Sequence, residues 1–137
     1  GYDSRINSRS FAEITAEVFA GNGIKVYLWP ELMPVPTVSF ATRHLKAAAG
    51  IMITASHNPA QYNGYKVYGA DGCQITTEAA SSILAEINKL DIFADVQHEA
   101  FAAALSRKQI SYIDEAVYTA FLAEVKQQSV LFGEQVK

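Results

Sequence analysis

Three side chains able to take part in catalysis lie close together in the middle of the sequence. Ser56 and His57 are adjacent and Lys66 follows shortly afterwards, so a hydroxyl, an imidazole and an ammonium share one segment. Acyl transfer would require a carboxylate to orient the imidazole, and residues 32–70 contain no Asp or Glu. Phosphoryl transfer instead requires a hydroxyl and cations that neutralise the phosphate oxygens. These residue types therefore favour a phosphoryl group on Ser56.

The charge pattern around these residues also favours an anionic ligand. The chain has a net charge of −3 with 14 acidic residues, all of which lie outside residues 32–70. A phosphoserine carries about two negative charges, and a neighbouring carboxylate would repel them. The alternative is that this segment is mostly buried and that its few basic side chains, Arg43, Lys46 and Lys66, are solvated.

The overall composition excludes several classes of protein. A net negative charge argues against nucleic-acid binding by overall basicity. No apolar run approaches the roughly 20 residues of a membrane span, and no signal-peptide pattern opens the chain. Cys73 is the single cysteine, so no intrachain disulfide can form and a reducing compartment is favoured. We therefore expect a cytoplasmic protein that binds neither nucleic acid nor membranes.

Hydrophobic periodicity and turn residues predict an alternation of helices and strands. The predicted helices cover roughly residues 8–21, 36–49, 76–90 and 112–126, and the predicted strands cover residues 25–29, 51–54, 65–68 and 73–75. The last two strands form a predicted hairpin, a serine is expected to cap the first helix, and residues 90–108 are interpreted as a connector. This pattern predicts a three-layer α/β/α sandwich with a mostly parallel, mixed sheet. Because ligands bind beyond the carboxyl ends of such strands, Ser56 stands at a favoured position.

Two motifs in this region resemble the active-site loop of the α-D-phosphohexomutase superfamily. They are residues 54–59, Thr-Ala-Ser-His-Asn-Pro, and residues 62–69, Tyr-Asn-Gly-Tyr-Lys-Val-Tyr-Gly. The likeness extends to Gly-Tyr-Asp-Ser-Arg at residues 1–5 and to Asp-Gly at residues 71–72. It implies that residues 1–137 form a single α/β domain, similar to the phosphoserine-bearing first domain of these four-domain enzymes. In the family this domain begins before the position of Gly1, so the resemblance implies a domain shortened at its N-terminus.

The resemblance implies a role for each matching residue. Ser56 would give a phosphoryl group to a sugar monophosphate and take one back from the resulting bisphosphate, and its phosphate would be one ligand of Mg²⁺. His57 and Lys66 would be catalytic, handling protons and stabilising charge near the reacting oxygen. Arg5 and Asn58 would bind the phosphate, Arg5 by positioning the phosphoserine and Asn58 by ordering the loop.

The implied reaction interconverts a hexose 1-phosphate and a hexose 6-phosphate, with a sugar bisphosphate as activator. Glucose is favoured by analogy, with mannose or pentose phosphates as alternatives. The remaining Mg²⁺ ligands would come from domains absent from this chain, which contains no D-x-D sequence. We therefore expect a partnership with those domains, little or no mutase activity from these residues alone, and self-association through an exposed sheet edge.

The same residues also allow plainer interpretations. His57 could cap the following turn, Lys66 could be a solvated lysine at the end of a strand, and Arg5 could simply pair with Asp3. The serine loop could hold a phosphate without chemistry, as a non-catalytic binding module, or it could be a turn in a structural domain.

Overall fold

The described part of the protein alternates short strands with helices. A computed structural model describes residues 1–128, so residues 129–137 of the predicted domain lie outside the described residues. The helices are α1 (Ser8–Gly21), α2 (Val35–His44), α3 (Thr77–Ile87), α4 (Phe101–Ser106) and α5 (Glu115–Gln128). The strands are β1 (Val26–Leu28), β2 (Ala49–Ile53), β3 (Tyr65–Gly69) and β4 (Ile110–Tyr112).

The strands combine parallel and antiparallel pairing. β1 and β4 are parallel. β2 and β3 are antiparallel, with Met52 opposite Lys66. The first residues of the chain add a short parallel rung on the other side of β2, where Tyr2 bridges Ile53. This mixed, partly parallel arrangement agrees with the predicted sheet.

Helices cover both faces of the strands, so the fold has three layers. The core on one face contains Leu28 and Ile53 together with residues of α1 and α4. The core on the other face contains Trp29 and Met52 together with residues of α2 and α5. Consecutive residues of an extended chain point to opposite faces of a sheet. For this reason Leu28 and Ile53 belong to one core, and their chain neighbours Trp29 and Met52 belong to the other. The two cores confirm the predicted α/β/α sandwich.

The first two helices differ from the prediction at their ends. The prediction of a serine cap for α1 is wrong, because the N-cap residue is Asn7, in a left-handed conformation, and Ser8 is fully buried. α2 ends at His44, well before the predicted end near residue 49. The chain turns there because Lys46 adopts a φ of 52°, and Ala49 already belongs to β2.

The second half of the described chain contains two elements that the sequence did not predict. α4 lies within the segment interpreted as a connector, and β4 follows it and pairs with β1. α5 corresponds to the last predicted helix and begins after β4. The predicted hairpin is reduced to one strand, because residues 73–75 make only an isolated bridge between Tyr68 and Gln74.

α3 differs from the other helices in lying on the surface. Thr76 caps it by accepting a hydrogen bond from the Ala79 N–H at 3.3 Å. None of its residues is buried, and Ile83, Leu84 and Ile87 are each about half exposed. No helix within residues 1–128, α3 included, is long and apolar enough to cross a membrane.

Candidate active site

Ser56 lies in the loop that joins β2 to β3, just beyond the carboxyl end of β2. The Thr54 N–H closes the base of this loop by donating to the Gly64 carbonyl at 3.0 Å. A Cβ on Gly64 would lie 2.6 Å from the Thr54 carbonyl oxygen, so the close approach requires glycine. The Ser56 N–H donates to Thr54 Oγ1 at 3.1 Å, which starts a tight turn. The loop therefore presents Ser56 at the edge of the sheet.

Ser56 combines an uncommon backbone conformation with an exposed side chain. Its φ of 55° lies in the left-handed region, which costs a non-glycine residue about 1–2 kcal/mol. Its Oγ accepts a hydrogen bond from Lys66 Nζ at 2.7 Å. Because Lys66 lies in β3 opposite Met52, a strand pair holds the ammonium against the hydroxyl. The structure thus brings two of the three predicted catalytic side chains into contact.

Arg5 holds the serine loop through its main-chain carbonyls. Nη2 donates to the Ser56 carbonyl, and Nη1 donates to the carbonyls of Pro59 at 2.8 Å and Tyr62 at 3.1 Å. Nε pairs with the Asp3 carboxylate at 3.2 Å, and the Arg5 side chain is only 8% exposed. These contacts use four of the five N–H groups of the guanidinium. Arg5 therefore acts chiefly on the loop backbone, and it also makes the ion pair with Asp3.

A polar network beneath Arg5 connects the start of the chain to the loop. Asp3 accepts hydrogen bonds from the Arg5 N–H at 3.0 Å and from Ser8 Oγ at 2.9 Å. Burial alone would raise the pKa of the Asp3 carboxyl, but hydrogen bonds from Thr54, Arg5 and Ser8 and the charge of Arg5 lower it overall. Ser8 Oγ also lies 2.7 Å from Asn63 Oδ1. The carboxylate therefore stays ionised and keeps the guanidinium in place.

Sequence reasoning did not single out Asp3, Ser8 and Asn63 as parts of this site. Asp3 lies in the matching segment at residues 1–5, and Asn63 lies in the motif at residues 62–69. Their places in these segments were the available signal that both belong to the site. Asp3 also shows that the absence of acidic residues from residues 32–70 does not keep carboxylates away from Ser56, since Asp3 lies outside that segment and still reaches the network. It does so already paired with Arg5, so it adds little net charge beside Ser56.

His57 and Asn58 are exposed and follow Ser56 in the loop. The Asn58 N–H donates to the Ala55 carbonyl at 3.1 Å, so the backbone of Asn58 closes the turn. Within residues 1–128, neither the imidazole ring of His57 nor the side-chain amide of Asn58 makes a hydrogen bond. Their expected roles in proton transfer and phosphate binding stay predictions.

The described residues do not form a complete site for Mg²⁺ from His, Cys, Asp and Glu side chains. Within residues 1–128 there is no group of three or more His, Cys, Asp and Glu side chains that could hold a metal ion. Mg²⁺ requires roughly six oxygen ligands in octahedral geometry. In the Ser56 loop a phosphate on the serine would supply one of them, beside the Lys66 ammonium.

Comparison with known proteins identifies the family in which this fold and serine loop occur. Residues 1–92 match the family described as "Phosphoglucomutase/phosphomannomutase, alpha/beta/alpha domain I". The match includes β1, β2, β3 and the loop that carries Ser56. The chain belongs to this family, which confirms the resemblance to the first domain of the phosphohexomutases.

Relatives of this chain carry several mutase names. The chain is 41% identical to a phosphoglucomutase of Staphylococcus haemolyticus over 128 residues, which cover 90% of this chain and 22% of that protein. It is 47% identical over 93 residues to the "Probable phosphomannomutase" of Haemophilus influenzae, covering 66% of this chain and 19% of the relative. It is 51% identical over 89 residues to the "Probable phosphoribomutase" of Schizosaccharomyces pombe, covering 65% and 15%. The chain thus spans about a fifth of the length of these curated relatives.

A solved structure of the same family shares the fold. The chain superposes with a TM-score of 0.68 and 37% sequence identity on a crystal structure described as that of a "putative phosphomannomutase from Thermus Thermophilus". The superposition covers 90% of this chain and 26% of that one. The strands and helices of this chain are therefore arranged as in about a quarter of that longer protein.

Proposed function

We propose that this chain is the phosphoserine-bearing domain of a phosphosugar mutase, with Ser56 as the carrier of the transferred phosphoryl group. The observation that carries the proposal is the 2.7 Å contact between Lys66 Nζ and Ser56 Oγ. An ammonium at this distance would stabilise the negative charge that develops on Oγ as the phosphoryl group leaves. Membership of the phosphoglucomutase/phosphomannomutase family supports the same assignment.

The reaction would consist of two phosphoryl transfers through Ser56. In the first, a hydroxyl oxygen of a sugar monophosphate bonds to the phosphorus while the bond between phosphorus and Ser56 Oγ breaks. The hydroxyl proton passes to a base, for which we propose His57, and Lys66 returns a proton to Oγ. The second transfer reverses these bonds with the other phosphoryl group of the bisphosphate. Ser56 is then phosphorylated again, and the isomeric monophosphate is released.

The other predicted groups would assist these transfers. Arg5 would position the phosphoserine by fixing the Ser56 carbonyl, and Asn58 would bind the phosphate. Mg²⁺, when bound, would neutralise charge on the phosphoryl oxygens, with the phosphate on Ser56 as the ligand from this chain. The remaining ligands would belong to the remaining domains of the parent protein, and a sugar bisphosphate would load Ser56 at the start.

We propose a hexose 1-phosphate and a hexose 6-phosphate as the substrates, with glucose favoured. Support comes from the relatives called phosphoglucomutase, although mannomutase and ribomutase names occur at similar identity. We also propose that residues 1–137 alone have little or no mutase activity. The reason is that residues 1–128 contain no group of three or more His, Cys, Asp and Glu side chains that could hold the metal ion.

The decisive experiment locates the phosphate in the parent polypeptide that contains this chain. The protein is purified without phosphatase, its intact mass is measured, and any phosphate is mapped to a residue. We expect phosphate on Ser56, loss of both phosphate and mutase turnover in Ser56→Ala, and neither loss in Ser81→Ala, which changes an exposed serine of α3.

Two outcomes would contradict the proposal. Full turnover in Ser56→Ala would show that this hydroxyl does not carry the phosphoryl group. Reversible phosphate affinity at the loop, with no covalent phosphate even after incubation with a sugar bisphosphate, would indicate a non-catalytic binding module instead.

A further inference from the structure

The backbone of Ser56 is held by one hydrogen bond on each side of its Cα atom. On the amino side, the Ser56 N–H donates to Thr54 Oγ1 at 3.1 Å. On the other side, the Ser56 carbonyl accepts a hydrogen bond from Arg5 Nη2. The N–H and the carbonyl belong to two successive peptide planes, and the orientations of these planes set φ and ψ of the residue between them. Two side chains therefore impose the left-handed conformation of Ser56.

Both of these side chains are bonded to the same carboxylate, that of Asp3. Arg5 Nε lies 3.2 Å from Asp3 Oδ2, and the Thr54 hydroxyl also hydrogen-bonds the Asp3 side chain. An ionised carboxylate only accepts hydrogen bonds, so the Thr54 hydroxyl gives its single hydrogen to Asp3. The lone pairs of Thr54 Oγ1 are then left for the Ser56 N–H. Asp3 thus determines the direction in which the Thr54 hydroxyl is bonded.

Burial makes the Thr54 hydroxyl dependent on this carboxylate. Thr54 is only 3% exposed, so solvent has little access to its side chain. Its main-chain N–H is already bonded to the Gly64 carbonyl at the base of the loop. A buried hydroxyl that loses its acceptor turns toward another one, and its lone pairs then no longer face the Ser56 N–H. A change at Asp3 therefore reaches the serine through Thr54 as well as through Arg5.

The path of the chain brings Asp3 to this position and fixes it there. Tyr2 forms a parallel bridge with Ile53, so Asp3 comes alongside the residue that follows Ile53. Asp3 Oδ1 accepts the Arg5 N–H at 3.0 Å, which makes a local turn. It also accepts a hydrogen bond at 2.9 Å from Ser8 Oγ, which is fully buried. The carboxylate is thus held in place by contacts that do not involve the serine loop.

The backbone conformation of Ser56 decides where its hydroxyl points. Because the bonds of Cα are tetrahedral, fixing both peptide planes also fixes the direction of the bond from Cα to Cβ. In the observed direction Oγ lies 2.7 Å from Lys66 Nζ. A displacement of the reacting oxygen by about 1 Å is enough to slow a reaction roughly 100-fold.

We propose that Asp3 is a positioning residue for Ser56, acting through Thr54 on its N–H and through Arg5 on its carbonyl. Asp3, Thr54 and Arg5 together form a clamp on the serine backbone. The carboxylate contacts neither the phosphoryl group nor the reacting oxygen. Its effect on catalysis, which rests on the function proposed above for Ser56, is on the rate of phosphoryl transfer and not on sugar binding.

The clamp itself is tested in the 137-residue chain by amide hydrogen exchange followed by NMR. Thr54→Val removes the hydroxyl but keeps the shape of the side chain, and Asp3→Asn removes the charge. We expect the Ser56 amide to exchange at least about tenfold faster in both variants. Thr54→Ser keeps the hydroxyl and should stay within about threefold of the wild type. The Val26 amide, which is bonded to the Gln109 carbonyl, is the internal reference.

Thr42→Val is the matched control for the loss of a buried hydroxyl. Thr42 is 4% exposed, and its Oγ1 donates to the Val38 carbonyl of the same helix at 2.8 Å. This variant should leave the exchange of the Ser56 amide unchanged.

The catalytic effect is tested in the parent polypeptide by single-turnover transfer from Ser56. The acceptor is whichever of glucose, mannose and ribose 1-phosphate the wild type uses fastest. We expect Thr54→Val and Asp3→Asn to slow the transfer about 10- to 100-fold, with KM changed by less than about twofold. Thr54→Ser should restore the rate to within about threefold, and Thr42→Val should leave it unchanged. Rates are measured per phosphorylated Ser56, so a variant that folds poorly loses amplitude and not rate.

Two results would overturn the proposal. The first is unchanged exchange of the Ser56 amide in both Thr54→Val and Asp3→Asn, which would show that neither residue holds the N–H. The second is an unchanged transfer rate in both variants although the amide exchanges faster, which would show that transfer does not need the clamp. A failure of the proposed function differs from both. A wild-type parent polypeptide without phosphate on Ser56, together with the expected exchange rates, would confirm the clamp and overturn its catalytic role.

Discussion

The guanidinium of Arg5 donates a hydrogen bond to the main-chain carbonyl of Ser56 and not to its side chain. The Ser56 hydroxyl is left to Lys66, which approaches from β3. One cation therefore fixes the backbone of the serine, and another contacts its reactive oxygen. This division matters because Ser56 is in a left-handed conformation, which persists only where its surroundings impose it.

Removing the Arg5 guanidinium should therefore release the serine loop. We expect Arg5→Met to lower the free energy of unfolding by about 2–3 kcal/mol, since three loop carbonyls lose a charged donor and Asp3 loses its partner. Arg9→Met is the control, because the Arg9 side chain is 62% exposed and, within residues 1–128, forms an ion pair only with Glu13. Its effect should stay below about 0.5 kcal/mol. Urea unfolding followed by Trp29 fluorescence measures both, and equal losses would refute the special role of Arg5.

The left-handed conformation of Ser56 gives a second prediction. Ser56→Gly and Ser56→Ala both remove the hydroxyl, but only glycine adopts a φ of 55° without strain. We expect the glycine variant to be about 1 kcal/mol more stable to urea than the alanine variant. At Ser81, inside α3, the order should reverse because glycine weakens a helix by about 1 kcal/mol relative to alanine. The same order at both sites would show that Ser56 is unstrained.

The sequence predicted the elements that repeat a clear pattern and missed those that do not. α1 and α3 were placed correctly because their apolar residues recur at helical spacing. β4 has three residues, too few to show a period, and it exists because it pairs with β1 across a long stretch of chain. α4 has six residues and is rich in alanine, so composition alone does not separate it from a connector.

At the candidate site, the sequence predicted side chains better than it predicted their partners. The residue types pointed to Ser56 and Lys66, and the two side chains are in contact. Arg5 was expected near the serine, but its contacts with loop carbonyls depend on the path of the chain between residues 56 and 62. Periodicity carries no information about such a path. For the same reason the expected serine cap of α1, for which Ser8 and Ser10 were the candidates, does not form, and Ser8 instead contacts Asp3 and Asn63.

Replacing Lys66 tests the proposed chemistry separately from folding. In the parent polypeptide, Lys66→Met should slow phosphoryl transfer from Ser56 about 100- to 1,000-fold, because the leaving oxygen loses its charged donor. Stability should change little, since within residues 1–128 the Lys66 ammonium bonds only to exposed Ser56 and the strand pairing is kept. Lys89→Met, at an exposed pair with Glu86, should leave the rate unchanged. An unchanged rate in Lys66→Met would exclude Lys66 from the transfer.

The amino group of Gly1 makes a prediction about pH. Burial lowers the pKa of its ammonium to about 5, from an ordinary value of 8.0. Between these values the unfolded chain holds a proton that the folded chain does not, so stability is greatest above pH 8 and falls as the pH drops toward 5. A pKa difference of this size corresponds to about 4 kcal/mol.

Urea unfolding of the 137-residue chain between pH 8 and pH 5 measures this loss, and the chain acetylated at Gly1 is the control. Acetylation removes the titrating group but keeps the N–H that donates to the Ile51 carbonyl. Any histidine or carboxylate that titrates in this range contributes equally to both proteins, so the difference between the two curves isolates Gly1. We expect the acetylated chain to lose about 3 kcal/mol less over this range, because each pKa lies at one end of it and the titration is not complete there. Parallel curves would mean that the Gly1 amino group is solvated and not buried.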